Sequence, residues 1–231
     1  GGSFAGNVGM GGTLAVTGAS TLSSSLAMTS NDPTITMTDS SGTNDIVTLQ
    51  STSGALIVTA RDGNANGEII FKGDTGSAVT EHMRINAIGA VTMPNQPAFL
   101  VKVGSTQTNI ALNGYVTVVI GTEIFDVGGN FASNTFTAPV TGKYQLNATF
   151  YMLALDTGAT FYEFAINTSN RKYSIDIDPN FSGDLTYYAI NFNVLADMDA
   201  SDTSTLTIYQ SGGTQQTDVS ANTTFSGYLV A

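Results

Sequence analysis

Phe136-Thr137-Ala138-Pro139-Val140-Thr141-Gly142-Lys143-Tyr144-Gln145-Leu146-Asn147-Ala148-Thr149-Phe150 is the stretch on which the fold turns. Pro139 and Gly142 bracket a corner, because proline cannot donate to a sheet ladder and glycine lets another backbone come close. From Lys143 the residues alternate. Tyr144, Leu146, Ala148 and Phe150 share one face of a strand, and Lys143, Gln145, Asn147 and Thr149 share the other. Tyr144 brings a large ring inward with a polar tip that needs a partner.

The same period of two recurs on both sides of this block. Thr34 to Thr38, Asp45 to Leu49, Glu68 to Lys72, Tyr115 to Ile120 and Thr205 to Tyr209 are rich in β-branched and aromatic residues and read as strands. Turn formers cut between them at Asp39 to Gly42, Asp62-Gly63-Asn64, Gly73 to Gly76, Asn113-Gly114, Gly128 to Asn130, Ser182 to Asp184 and Ser211 to Gly213. Apolar residues at helical spacing do not persist for three turns anywhere, and the only helix expected is a short one over residues 20–28. The chain is predicted to be all-β.

Composition narrows the function classes. With 7 Lys+Arg against 18 Asp+Glu, the net charge of -11 repels phosphate backbones and anionic lipid surfaces, so no nucleic acid is expected as a partner. The chain has no cysteine, which removes disulfides, thiolate nucleophiles and zinc–thiolate sites. A run of about 18 apolar residues is also missing, so no membrane insertion is expected. The sequence opens on Gly1 rather than Met, as a processed or excised piece of a longer chain would.

A boundary is expected near Pro94-Asn95-Gln96-Pro97. Before it stand two phenylalanines, Phe4 and Phe71, and no tyrosine; the other ten phenylalanines and all nine tyrosines follow. Residues 1–96 thus hold few large side chains to offset a backbone entropy cost of roughly 1–2 kcal/mol per residue. Such a segment needs partner chains, as a β-rich fibrous stalk has. Within it, Ala5 to Met10 echoes Ile88 to Met93. Residues 97–231 carry longer strands with alternating aromatics and have the size of a β-sandwich.

That second region resembles the complement-1q globular head. The residues that carry the resemblance are Pro97-Ala98-Phe99-Leu100-Val101, Phe125-Asp126, Phe131, the block from Phe136 through Pro139, Gly142 and Tyr144 to Leu146, and Thr224-Phe225-Ser226-Gly227-Tyr228-Leu229. Leu146 stands where the family usually has Phe, and Asp197-Met198-Asp199 where it often has a Gly-Asp turn. The resemblance implies a ten-stranded jelly roll, related to tumour necrosis factor, that assembles as a homotrimer and closes on a strand returned to the sheet centre. Phe99, Phe125, Phe131, Phe136, Pro139, Gly142, Tyr144, Phe225, Gly227 and Tyr228 form its fold and trimer signature. Upstream, Thr80-Glu81-His82-Met83-Arg84-Ile85 with Gly89 and Val91 is similar to tailed-phage fibre segments, and Leu14 to Leu22 is similar to their strand repeats.

Candidate chemistry is sparse. His82 is the single histidine and lies in the stalk half, with no G-x-S-x-G turn to present a serine to it. Asp176 with Asp178, Asp197 with Asp199 and Asp202, and Glu163 are candidate paired carboxylates for glycoside hydrolysis, although solvated carboxylates are the default in so acidic a chain. Asp197, Asp199 and Asp202 offer clustered hard oxygens that suit calcium, without the glycine and distal glutamate of a helix-loop-helix site; the resemblance also implies calcium at the apex of some heads. No other cofactor is expected. Adjacent tyrosines such as Tyr187 and Tyr188 must face opposite sides of a sheet, one into the core and the other outward as interface or sugar-stacking surface. Loops at Asp156 to Gly158, Asn167 to Arg171, Pro179 to Asp184 and Gly212 to Gln216 are candidate recognition loops.

The expectation from these readings is a non-enzymatic, extracellular virion fibre of a tailed phage. Its partners would be itself, other virion proteins and a host-surface glycan or protein. A capsid decoration fibre without a receptor, a secreted or spore-surface bacterial protein trimerised by the head, and a depolymerase tailspike remain open beside it.

Overall fold

Strands and turns make up the described chain, and no helix occurs among the described residues. The computed structural model describes residues 17–18, 27–39, 41–42 and 45–231. The helix expected over residues 20–28 lies outside them, except for Ala27 and Met28, which are not helical; the motifs at 5–10 and 14–22 lie outside them as well, Thr17 and Gly18 excepted. Of the described residues, those up to Ile69 together with Ile85–Ala90 form one compact unit, and Ile70–Arg84 with Val91–Ala231 form a second.

The first sheet is an antiparallel run of β1 (Thr34–Asp39), β2 (Asp45–Thr52), β3 (Ala55–Asp62) and β4 (Ala65–Asn66), in that spatial order. Its turns sit where the Asp, Ser and Gly residues predict. Asp39 Oδ1 accepts the Ser41 amide at 2.8 Å, and Asp45 Oδ1 accepts the Gly63 amide at 2.6 Å. β5 (Ile69–Asp74), β6 (Val79–Ile85) and β7 (Val91–Thr92) make a small three-stranded sheet.

The remaining strands build a two-sheet jelly roll. They are β8 (Ala98–Lys102), β9 (Tyr115–Thr117), β10 (Thr122–Val127), β11 (Phe131–Ala132), β12 (Thr135–Thr137), β13 (Gly142–Leu155), β14 (Ala159–Thr168), β15 (Lys172–Ile177), β16 (Leu185–Met198), β17 (Thr203–Gly212), β18 (Asp218–Val219) and β19 (Thr224–Leu229). One sheet runs β10-β8-β19-β13-β16 with β18 also on β13; the other runs β11-β12-β17-β14-β15 with β9 also on β17. The last strand therefore lies between β8 and β13 at the centre of its sheet. Twelve strands are delimited instead of ten, because β11 and β18 are two-residue pieces.

The signature aromatics meet in the space between the sheets. Phe99 stacks on Phe136 at 4.5 Å and on Phe131 at 5.5 Å, and Phe225 meets it edge-on at 5.0 Å. Phe136 in turn touches Tyr144 at 5.5 Å. Tyr144 is fully buried and its hydroxyl donates to the Val140 carbonyl at 2.8 Å, so the polar tip is satisfied by the corner that Pro139 and Gly142 shape. Phe125 and Tyr228 are the exceptions, facing outward at 47% and 49% exposure. A register shift between Glu123 and Phe125 accompanies the first of these.

The strand expected over Tyr115 to Ile120 stops at Thr117. The buried Val118 amide still donates to the Leu206 carbonyl at 3.0 Å, and side chains then replace the ladder: the Val119 amide donates to Gln107 Oε1 and the Ile120 amide to Asn134 Oδ1.

Gly227 is the tightest point of the central strand. A Cβ there would lie 2.7 Å from Leu146 Cδ2 and 2.8 Å from Phe99 Cε1, against side chains already packed in the core. Gly227→Ala is therefore expected to destabilise the head by about 1–3 kcal/mol, measured by denaturant unfolding; an unchanged midpoint would show that the two neighbours can give way.

Candidate functional site

Two surfaces of the jelly roll stand out physically. The first lies along β15 and β16, which are the terminal strands of the two sheets on the same side of the sandwich. Their inward-facing rows, Tyr173, Ile175 and Ile177 on β15 and Tyr188, Ile190, Phe192 and Val194 on β16, pack on the core but are only half-covered. Residues at equivalent positions on β13 and β14, such as Phe150 and Phe164, are completely buried. The difference is positional: a terminal strand has a neighbour on one flank only.

Around the same edge, the outer face of β13 and β16 is apolar at one end. The register pairs Leu153 with Tyr187 and Tyr151 with Ala189. Tyr151 and Tyr187 meet edge-on at 6.2 Å, and Tyr187 is 64% exposed. Tyr188 faces the opposite way, onto the core and Phe181, as adjacent strand positions require. Beside Tyr187 is a concavity of ≈ 350 Å³ lined by Leu153, Ala154, Asp184, Leu185, Thr186 and Gln215. Ala154 has φ +52°, a left-handed conformation that side chains disfavour, and it is skipped in the β13–β16 pairing.

The second surface is the loop cluster around Asp156. Its carboxylate is 2% exposed. Oδ1 accepts the Gly158 amide at 2.7 Å, and Oδ2 accepts the Thr214 and Gln215 amides at 2.6 and 2.7 Å. Burial pushes this carboxyl up, but the Gln215, Gly158 and Thr214 amides outweigh burial and hold it below its ordinary value. Tyr162 lies beneath, its hydroxyl accepting the Asp156 amide at 2.9 Å and sitting 2.7 Å from Thr217 Oγ1. Desolvation raises the Tyr162 pKa. Asp184 joins the loops from the other side by accepting the Thr157 amide and hydroxyl at 2.9 and 2.7 Å. Three of the four candidate recognition loops are thereby tied together, with one buried carboxylate as the knot. Asp156 was legible only as the start of an Asp-Thr-Gly turn; nothing in the sequence marks it as buried.

The candidate calcium ligands are placed differently. Asp197 pairs with Arg171 at 2.9 Å. Asp202 accepts the Asp199 amide at 2.8 Å, the Ser169 hydroxyl at 2.9 Å and the Asn170 amide at 2.7 Å. These bonds, the first-named largest, lower its pKa. The oxygens are committed to an arginine and to turn donors, and among the described residues no group of three acidic or histidine side chains is gathered to hold a metal ion. Asp197 and Asp202 close the β16–β17 turn onto the loop at 169–171.

Glu163 and Asp176 are direct cross-strand neighbours on the outer face of β14 and β15. Glu163 is bound by Lys172 at 2.5 Å, and Lys172 also donates to the Tyr115 hydroxyl at 3.1 Å and sits 4.5 Å above its ring. These bonds raise the Lys172 pKa. Tyr115 packs at a tilt against Tyr209 at 4.9 Å, so the cluster fastens the short β9 onto β17. His82 lies on β6 against Gly73 of β5, where a side chain on Gly73 would strike its ring.

No protein-family model and no curated protein matches the sequence. Solved structures similar to the chain include the globular domain of zebrafish complement 1qA, with TM-score 0.42 and 16% identity over 59% of this chain and 98% of that one. Another is murine APRIL at pH 8.0, with TM-score 0.43 and 10% identity over 58% and 99%. The likeness is one of fold.

Asp156 makes the loop cluster acid-sensitive. Its folded pKa is depressed, so its contribution is present above the unfolded value of about 3.9 and is lost as pH falls through the folded value. Asp156→Asn is expected to cost about 2 kcal/mol at neutral pH. The gap between wild type and variant, read from thermal or urea unfolding, should narrow below about pH 4 as the native carboxyl protonates. A pH-independent gap would remove the charge from the explanation.

Proposed function

We propose that this chain is a structural, non-enzymatic fibre protein of a tailed-phage virion, acting outside the cell. Its jelly-roll head forms a homotrimer that attaches to a host-surface glycan or protein, or caps the fibre. The observation that carries the reading is the half-covered apolar row along β15 and β16, with the exposed Tyr187 on the outer face of the same β16. A soluble monomer would leave that strip in water, at roughly 25 cal/mol for each Å² of apolar surface left uncovered. Further copies of the same chain cover it without a new partner, and a closed ring of three satisfies every copy equally. The Thr80–Val91 segment, with its fibre-like motif, supports a shaft ahead of the head.

Three heads on one shaft raise the effective concentration of each binding site, so weak contacts to a repeated surface ligand add into firm attachment. The tied loops at 156–158, 182–184 and 212–217 supply a rigid rim for such contacts.

Light scattering on the full chain is expected to give three times the chain mass, unchanged by a calcium chelator because Asp197 and Asp202 are engaged elsewhere. A stable monomer would overturn the assembly. Tyr187→Asp, on an exposed side chain, should weaken the trimer at least tenfold without altering the β signature in circular dichroism.

The attachment role has its own check. Purified trimer in excess should slow phage adsorption to the host cells, and an absence of both cell binding and competition would leave only the capping role.

A further inference from the structure

The sheet built on β17 and β14 has an outer side, turned away from the core, and aromatic rings gather on it. The register sets Tyr115 of β9 opposite Tyr209 of β17, Tyr209 opposite Glu163 of β14, and Glu163 opposite Asp176 of β15. Residues two apart share a side, so Phe161 joins this face while Tyr162 is buried beneath it. Phe161 lies within 19° of parallel to Tyr209, with ring centroids 5.6 Å apart, and Tyr115 meets Tyr209 at 4.9 Å. All three rings stand outside the core cluster.

An exposed tyrosine is ordinarily free to turn, and Tyr115 is held. It is 59% exposed, yet its hydroxyl accepts from Lys172 Nζ at 3.1 Å and donates to Glu163 Oε2 at 3.4 Å, and the same ammonium sits 4.5 Å over its ring. Lys172 stands opposite Asn167 in the register and still reaches Glu163, so its alkyl stem runs along the face past Ala165. The result is a fixed strip of rings with a carboxylate and an ammonium set beside it, organised before any ligand arrives.

We propose that this outer face is a stacking site for a neutral pyranose of a host-surface glycan. The proposal deepens the attachment reading above by naming its surface and the chemistry of its ligand. A pyranose has an apolar C–H side and a rim of hydroxyls: the first suits the aromatic strip, and the second can donate to Glu163 and accept from Lys172. Charge disfavours an anionic ligand, because Glu163 and Asp176 outnumber Lys172 and Glu163 already pairs with it. A cationic ligand would have to displace the ammonium seated on Tyr115. Area disfavours a folded protein: aromatic side chains cover roughly 150–250 Å² each, and three partly exposed ones leave about 250 Å², far below the ~800 Å² per partner of a protein interface.

Affinity electrophoresis of the full chain tests the site. Migration should be slowed by a neutral polysaccharide in the gel, dextran, mannan or galactan, and by neither alginate nor hyaluronate. Tyr115→Phe, which keeps the ring, should be slowed like wild type. Tyr115→Ala and Tyr209→Ala should each weaken the retardation by about tenfold, with the light-scattering mass and the circular dichroism unchanged. Retardation by none of the neutral polymers, retardation by the anionic ones alone, or undiminished retardation of both alanine variants would overturn the site. Its failure is separable from that of the attachment reading. If wild type and both alanine variants slow phage adsorption equally, attachment stands and this site falls. If a neutral polymer retards the chain through these tyrosines but wild type leaves adsorption unchanged, the site stands and attachment falls.

Discussion

Phe99 is the residue around which the jelly roll closes. It lies between Phe136 from the opposite sheet and Phe225 from the last strand, and together with Leu146 it crowds the position of glycine at 227. That restriction ties the first strand of the head to the last. β19 must slide between β8 and β13, with its backbone against Leu146 and its Phe225 ring turned inward. The central position of the closing strand is a packing requirement, because the ring cluster is incomplete until residues separated by more than a hundred positions have met.

Carboxylates show how position decides chemistry in this molecule. Asp156 and Asp202 lie in loops between strands, and Asp197 lies one residue before the end of β16. Asp156 is withdrawn from water and surrounded by backbone amides, so it serves as a knot among loops. Asp197 and Asp202 remain near solvent with an arginine, a serine and an asparagine for company, and they serve as turn closers. An aspartate in a turn is a poor predictor of either fate, since what matters is the donors that the fold delivers to it.

Incomplete burial is the theme common to both compact units. In the jelly roll it runs along the two terminal strands, and in the first sheet it falls on Ile35, Met37, Val47, Leu56 and Val58. Neither can be relieved by local repacking. A terminal strand has no further neighbour to recruit within its sheet.

Strand positions were written plainly in the alternation of Tyr144, Leu146, Ala148 and Phe150, because a period of two survives whatever the strand later pairs with. Turns at Asp39, Asp62 and Gly128 were equally legible, since Asp, Asn and Gly act through their own backbone. The grouping of Phe99, Phe131, Phe136, Tyr144 and Phe225 was implied by the resemblance to the complement-1q head, whereas the outward turn of Phe125 and Tyr228 was not. Tertiary structure alone decided the burial of Asp156, the capture of Asp197 by Arg171, the left-handed Ala154 and the meeting of Tyr115, Tyr209 and Phe161 on one face. Each of these depends on which distant strands pair and in what register. A one-residue slip would send every side chain to the other face, and that choice is made by packing between segments, beyond what neighbouring residues can dictate.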